Sequence, residues 1–212
     1  RLYEHKKADK MTNIPKRHHY LPRFYLNNFT DADGFIWVFD RQERGIRKQT
    51  PVNTAVEKDL YTFIDENGVK DTRIEEHLSH VEARAKPLLD NMIDNKKLSP
   101  ENKAHLTLFV SFMLTRVPEF GKMTSEFNDM FFKQLNKKMF PSKEAVLNFI
   151  EERERQTGKK DGIDPEKMFQ FIQEERYDLI TPKGSTLSLM LKSAVELGNH
   201  LVGMGWLGLF AP

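Results

Sequence analysis

The 212-residue chain carries 33 Lys and Arg against 31 Asp and Glu, a formal charge of +2, so bulk charge does not select its partner. Hydrophobic residues at 39% and charged residues at 30% exclude a disordered chain. The absence of cysteine excludes disulfides, thiolate nucleophiles and Cys-ligated zinc, and fits a reducing, cytoplasmic setting.

Residues 1–16 read as a flexible N-terminal arm or an expression remnant, because Arg1–Lys10 precede Met11. Residues 17–212 are expected to form a single domain: arm and small sheet over 17–70, helical bundle over 71–204, and the start of a strand over 205–212. The polar N-terminus shows no signal-peptide pattern. No apolar run approaches the roughly 18 residues of a membrane span, so no membrane partner is expected.

Within this frame, residues 16–29, KRHHYLPRFYLNNF, concentrate two adjacent histidines, two tyrosines and three basic side chains. Residues 1–60 hold twelve Lys and Arg against eight Asp and Glu, a local excess of four that would favour an anionic partner or form a solvated surface. After a turn signal at Asp31–Gly34, Phe35–Phe39 reads as a strand, with Ile46–Gln49 as its return and Leu60–Ile64 as another. Together they predict a small antiparallel sheet.

From Asp71 the apolar period lengthens to about 3.5, and Ile74, Leu78, Val81, Ala85, Leu88 and Met92 form one stripe of a helix that Pro87 should kink. Ser99, Pro100 and Glu101 then carry the cap, proline and acid of a new helix start. The run to Val117 is apolar nearly all round and predicts a central buried helix. Helices are expected over 119–140, over 142–156 behind Ser142, from Asp164 to about Leu179, and over 187–204. The Met and Phe stripe of 119–140 reads as core. The predicted fold is α+β, mainly α: a bundle of about six helices with a small N-terminal sheet.

Several segments together resemble a bacterial family, domain-of-unknown-function family 4238. They are His18-His19-Tyr20-x-Pro22-x-x-Tyr25-Leu26-x-x-Phe29, Phe39-Asp40-Arg41, Leu60-Tyr61, Ile74-Glu75-x-x-Leu78-x-x-x-Glu82 and Arg116-Val117-Pro118. The likeness spans about 17–120, with a weaker match over 187–206. It implies a continuation, beyond Trp206, into a strand and a Thr-Ser-Asp-Asn-Pro segment that this sequence does not contain. It implies no established activity.

The candidate chemistry has two readings. In the first, Glu75 and Glu82, seven apart on one helix face, hold Mg²⁺ or Mn²⁺ with a histidine. His18 or His19 moves a proton, and Arg116 stabilises phosphate charge. Arg17, Tyr20, Arg23, Tyr25, Arg41 and Tyr61 then form a substrate rim that meets phosphates or stacks bases. The product of this reading is a metal-assisted hydrolase acting on nucleic acid or nucleotide phosphates. In the second, the same carboxylates pair with arginines, the opening stretch is a structural arm, and the helices bind a protein partner. Neighbouring residues on an extended chain face opposite ways, so His18 and His19 are not expected to share one ion. His77 and His80 flank Glu76 but lack the His-Glu-x-x-His spacing of a metalloprotease helix. No phosphate-cradling glycine loop and no serine nucleophile elbow is present.

Overall fold

The computed structural model describes residues 17–41, 43–64, 68–94, 97–160 and 162–206. The expected arm over 1–16 lies outside these residues, as does the expected terminal strand beyond Trp206. The fold is α+β and mainly α. The chain divides into two compact units, one of Arg1–Val117 with Leu191–Pro212 and one of Pro118–Met190.

The first unit opens with β1 (Arg17–His19), the one-turn helix α1 (Arg23–Leu26), the hairpin β2 (Ile36–Asp40) and β3 (Gly45–Gln49), and β4 (Val56–Lys58). The ribbon β5 (Phe63–Ile64) and β6 (Lys70–Asp71) follows. The small antiparallel N-terminal sheet structure expected from the sequence is present, divided into pairs. The strands make three separate antiparallel ribbons, β1–β4, β2–β3 and β5–β6. The longest strands have five residues, and Trp37, Phe39 and Ile46 on the hairpin stay exposed, so the ribbon has no apolar layer built over it. β1 carries no sequence signal of its own. It becomes a strand by pairing His18 with Glu57, about forty residues away.

Helix α2 (Arg73–Ile93) starts after Thr72, and Asp71 Oδ1 accepts the Arg73 N–H at 2.9 Å. It continues through Pro87, where the sequence predicts a kink; Pro87 and Ala83, whose carbonyl loses its amide donor, are both exposed. Helix α3 (Pro100–Thr115) begins as predicted, with Ser99 Oγ accepting the Asn102 N–H. It is the central buried helix. Leu106 and Phe109 pack with Ala85 and Leu88 of α2, and Phe24, Tyr25 and Trp206 close around them. Fully burying one such side chain stabilises by about 1.5–3 kcal/mol. The buried hydroxyls of Thr107, Ser111 and Thr115 each return to the carbonyl four residues back, which satisfies them inside the core. Gly198 of α7 (Lys183–Val202) lies against this row: a Cβ there would stand 3.4 Å from Ser111 Oγ.

The second unit contains α4 (Pro118–Met139), α5 (Lys143–Thr157), α6 (Pro165–Glu174) and the first turns of α7. Phe140, Val146, Ile150 and Ile172 form its core. Ser142 and Asp164 cap α5 and α6 with side-chain oxygens. α6 ends at Glu174, short of the expected Leu179, with Glu175 in the left-handed region at φ 51°. The segment beyond it is held instead by α4: Asp129 Oδ1 accepts the Leu179 N–H at 2.8 Å. The Met and Phe stripe of α4 is not core. Met123, Phe127, Met130 and Phe131 are all about half exposed, because a stripe at helical spacing marks one face without naming what covers it.

Candidate functional site

The opening stretch and one face of α2 meet around a cavity of about 530 Å³ in the first unit. β1 supplies Arg17, His18 and His19, and Pro22, with φ −62°, turns the chain into α1, which carries Arg23. Glu75, Leu78, Ser79 and Glu82 line the opposite wall at the i, i+3, i+4, i+7 spacing of one helix face. Arg116, the C-cap of α3, closes the floor. Three guanidinium groups (Arg17, Arg23, Arg116) against two carboxylates (Glu75, Glu82) leave a formal excess of one positive charge with both histidines neutral.

His18 is 2% exposed and has both ring nitrogens committed. Its Nδ1 accepts the Tyr61 N–H at 3.0 Å, which places the proton on Nε2, 3.2 Å from Glu75 Oε2. The imidazole also stacks on the Tyr61 ring, with centroids 5.5 Å apart and planes 2° from parallel. Tyr61 in turn donates its hydroxyl proton to the Arg116 carbonyl at 3.1 Å. Burial pushes the phenol above its ordinary pKa, so it remains a donor.

Arg116 is equally buried. Its Nε donates to the Tyr20 carbonyl at 2.7 Å and its Nη1 to Glu82 Oε1 at 2.6 Å. Its Nη2 is buried and has no partner among the described residues. A guanidinium left with an unsatisfied donor in a low-dielectric floor is held there at a cost of about 1–3 kcal/mol. On the open side, Arg17 Nη2 donates to Asn53 Oδ1 at 3.0 Å, and Arg23 is exposed without an ion pair among the described residues. His19 Nε2 lies 3.1 Å from the Val52 carbonyl, so that nitrogen carries the proton and Nδ1 the lone pair. Partial burial lowers the His19 pKa, and the neighbouring Arg23 and Arg17 charges lower it further.

Of the residues singled out from sequence, the cavity therefore gathers His18, His19, Arg17, Arg23, Tyr61, Glu75, Glu82 and Arg116. His18 is a wall element rather than a free base. Glu82 pairs with Arg116 and Glu75 faces His18. Among the described residues no group of three or more His, Asp or Glu is placed to hold a metal ion, so the expected Glu75–Glu82–histidine ligand set is not assembled. Tyr20 contributes its carbonyl to Arg116. Tyr25 stands edge-on to Phe29 and Phe109 as packing. Arg41 sits exposed at the end of β2, away from the cavity lining. Ser79 and Asn27 line the cavity and were missed; the only signal for Ser79 was its place between Glu75 and Glu82 on the helical period.

The fold and this site define a mainly helical α+β protein with a polar, arginine-lined cavity beneath its N-terminal segment. The chain belongs to the family described as "Protein of unknown function (DUF4238)", whose model matches residues 17–209. No curated protein and no solved structure matches it. Among the described residues no helix is long and apolar enough to cross a membrane.

Proposed function

We propose that the cavity binds a small phosphate-bearing ligand of the nucleotide class. The observation that carries this is the division of its walls: guanidinium groups on the β1–α1 side and floor, carboxylates and a hydroxyl on the α2 side. Arg17 and Arg23 offer planar donors to a phosphate, and the buried Arg116 adds positive charge from below. Glu75, Ser79 and Glu82 offer acceptors to ribose hydroxyls or a base amine. A bare phosphate would leave that second wall facing an anion unfavourably. The volume of about 530 Å³ lies inside the usual range of about 300–1,000 Å³ for small-molecule sites.

Hydrolysis of the bound phosphate is the catalytic extension of this reading. His19 is the better candidate to move a proton, because its Nδ1 keeps a lone pair while both nitrogens of His18 are engaged. Mg²⁺ or Mn²⁺ would then have to arrive with the phosphates, since Glu75 and Glu82 face protein partners. A second reading, a protein-interaction module, draws on the exposed Met123, Phe127, Met130 and Phe131 face of α4.

The test is a thermal-shift and calorimetric panel of mono- and dinucleotides, ribose 5-phosphate and inorganic phosphate, with and without Mg²⁺. The expected result is saturable stabilisation by a nucleotide, weaker for inorganic phosphate, and loss of about tenfold in affinity for Arg23→Ala with unchanged basal stability. Equal responses of wild type and Arg23→Ala to every ligand would defeat the proposal.

A further inference from the structure

The face of α2 about half a turn from the Glu75–Glu82 face bounds a second cavity, of about 360 Å³. His77, His80, Val81 and Arg84 line it from α2, at the same i, i+3, i+4, i+7 spacing as the first cavity's acidic wall. Leu108 and Phe112 of α3, with Leu191 and Val195 of α7, form an apolar floor. All these residues belong to the first unit. The two cavities thus flank the buried stripe of Leu78, Ala85 and Leu88, one on each side.

The rim has one sign. Arg84 is exposed and has no ion pair among the described residues. His77 and His80 are exposed beside it, and His105 reaches the rim from α3. Among the described residues no Asp or Glu lines the cavity; Glu101 pairs with His105 from outside the lining, 3.9 Å from its Nε2. The histidines do not converge as metal ligands. What remains is an apolar slot with a cationic lip, and its volume suits a small molecule rather than a partner helix.

We propose that this second cavity binds a small amphiphile with an apolar body and a single carboxylate head, the body on Leu108, Phe112, Leu191 and Val195 and the head on Arg84. A guanidinium matches a carboxylate through two parallel N–H donors, and among the described residues Val195 is exposed and Leu108 and Leu191 are partly exposed, so an apolar body would remove apolar surface from water. This site does not depend on the nucleotide reading of the first cavity.

Calorimetric titration of the full chain with octanoate tests it, with octanol and octylamine as uncharged and cationic comparators. Octanoate is expected to bind one to one, octanol about tenfold more weakly, and octylamine not at all. Arg84→Gln, at an exposed position, is expected to weaken octanoate about tenfold. Val195→Trp, at the half-exposed mouth, is expected to abolish binding, with circular dichroism and thermal midpoint confirming that both variants fold. Arg23→Ala is expected to leave octanoate binding unchanged. No octanoate binding at millimolar concentration, equal binding of octanol or octylamine, or unchanged binding by folded Val195→Trp would each overturn the proposal.

Discussion

Among the described residues each unit buries one Lys or Arg, and the two are satisfied differently. In the second unit Lys133 meets Asp129 at 2.8 Å and Asp178 at 3.5 Å, with the Tyr177 ring 5.4 Å from its ammonium. Asp129 also accepts the Leu179 N–H, so the whole group ties the 176–180 segment to α4. In the first unit Arg116, which lines a cavity, meets Glu82 and the Tyr20 carbonyl, and its buried Nη2 has no partner among the described residues. A closed cluster around a buried charge accounts for itself as architecture. A buried donor left incompletely paired beside convergent polar groups is where a ligand reading gains physical content.

The largest effect should come from removing that incompletely paired cation. Arg116→Leu strands Glu82 and frees the Tyr20 carbonyl, which should cost about 3 kcal/mol, near the low end for breaking a buried pair because Glu82 keeps 28% exposure. Chemical denaturation measures it directly. Glu82→Gln retains an acceptor and should lose less. Lys133→Met should lower the stability of the second unit while leaving every nucleotide-induced thermal shift intact. If Lys133→Met abolishes those shifts, the contrast between the two cations collapses.

Tyr61→Phe probes the wall between the histidine and the arginine. It keeps the ring stacked on His18 but removes the hydroxyl donor to the Arg116 carbonyl, a loss of about 0.5–1.5 kcal/mol. Tyr61→Leu removes the stack too and should lose more. Ligand affinity should fall with both, because the Arg116 position depends on this contact. A Tyr61→Phe protein of wild-type stability would show that the bond contributes nothing.

These outcomes bear on what the sequence could disclose. Local signals located the long helices: Ser99-Pro100-Glu101 and Asp164-Pro165-Glu166 announce their starts through cap chemistry that acts within one turn. The density of KRHHYLPRFYLNNF located one wall of the cavity, and the Glu75–Glu82 period located the other. Long-range facts stayed hidden. Nothing near His18 says that the Tyr61 N–H, 43 residues on, takes its Nδ1, so a structural imidazole reads like a free base. Nor does a Met-Phe stripe say whether it is covered, and in α4 it is exposed. The second cavity needs three helices at once, and no single stretch predicts it.

The smallest effect expected is titration of His19, and it sharpens the same contrast. Its pKa is lowered in the fold from an ordinary value of 6.5 by burial and by Arg23 and Arg17. Above about pH 6.5 the ring is neutral in folded and unfolded chains alike, and stability is highest with respect to this group. As pH falls, the unfolded chain takes up the proton first, so stability declines from about 6.5 down through the lowered folded value. Thermal midpoints between pH 8 and pH 5 should therefore fall more steeply for wild type than for His19→Asn. A phosphate seated beside Arg17 and Arg23 adds negative charge near the ring and should raise its pKa again. Nucleotide binding near pH 6 should then take up protons, visible as a binding heat that depends on the buffer's ionisation enthalpy and is lost in His19→Asn. Matching pH profiles would remove His19 from the linkage, and buffer-independent heats would place the phosphate away from the β1 wall.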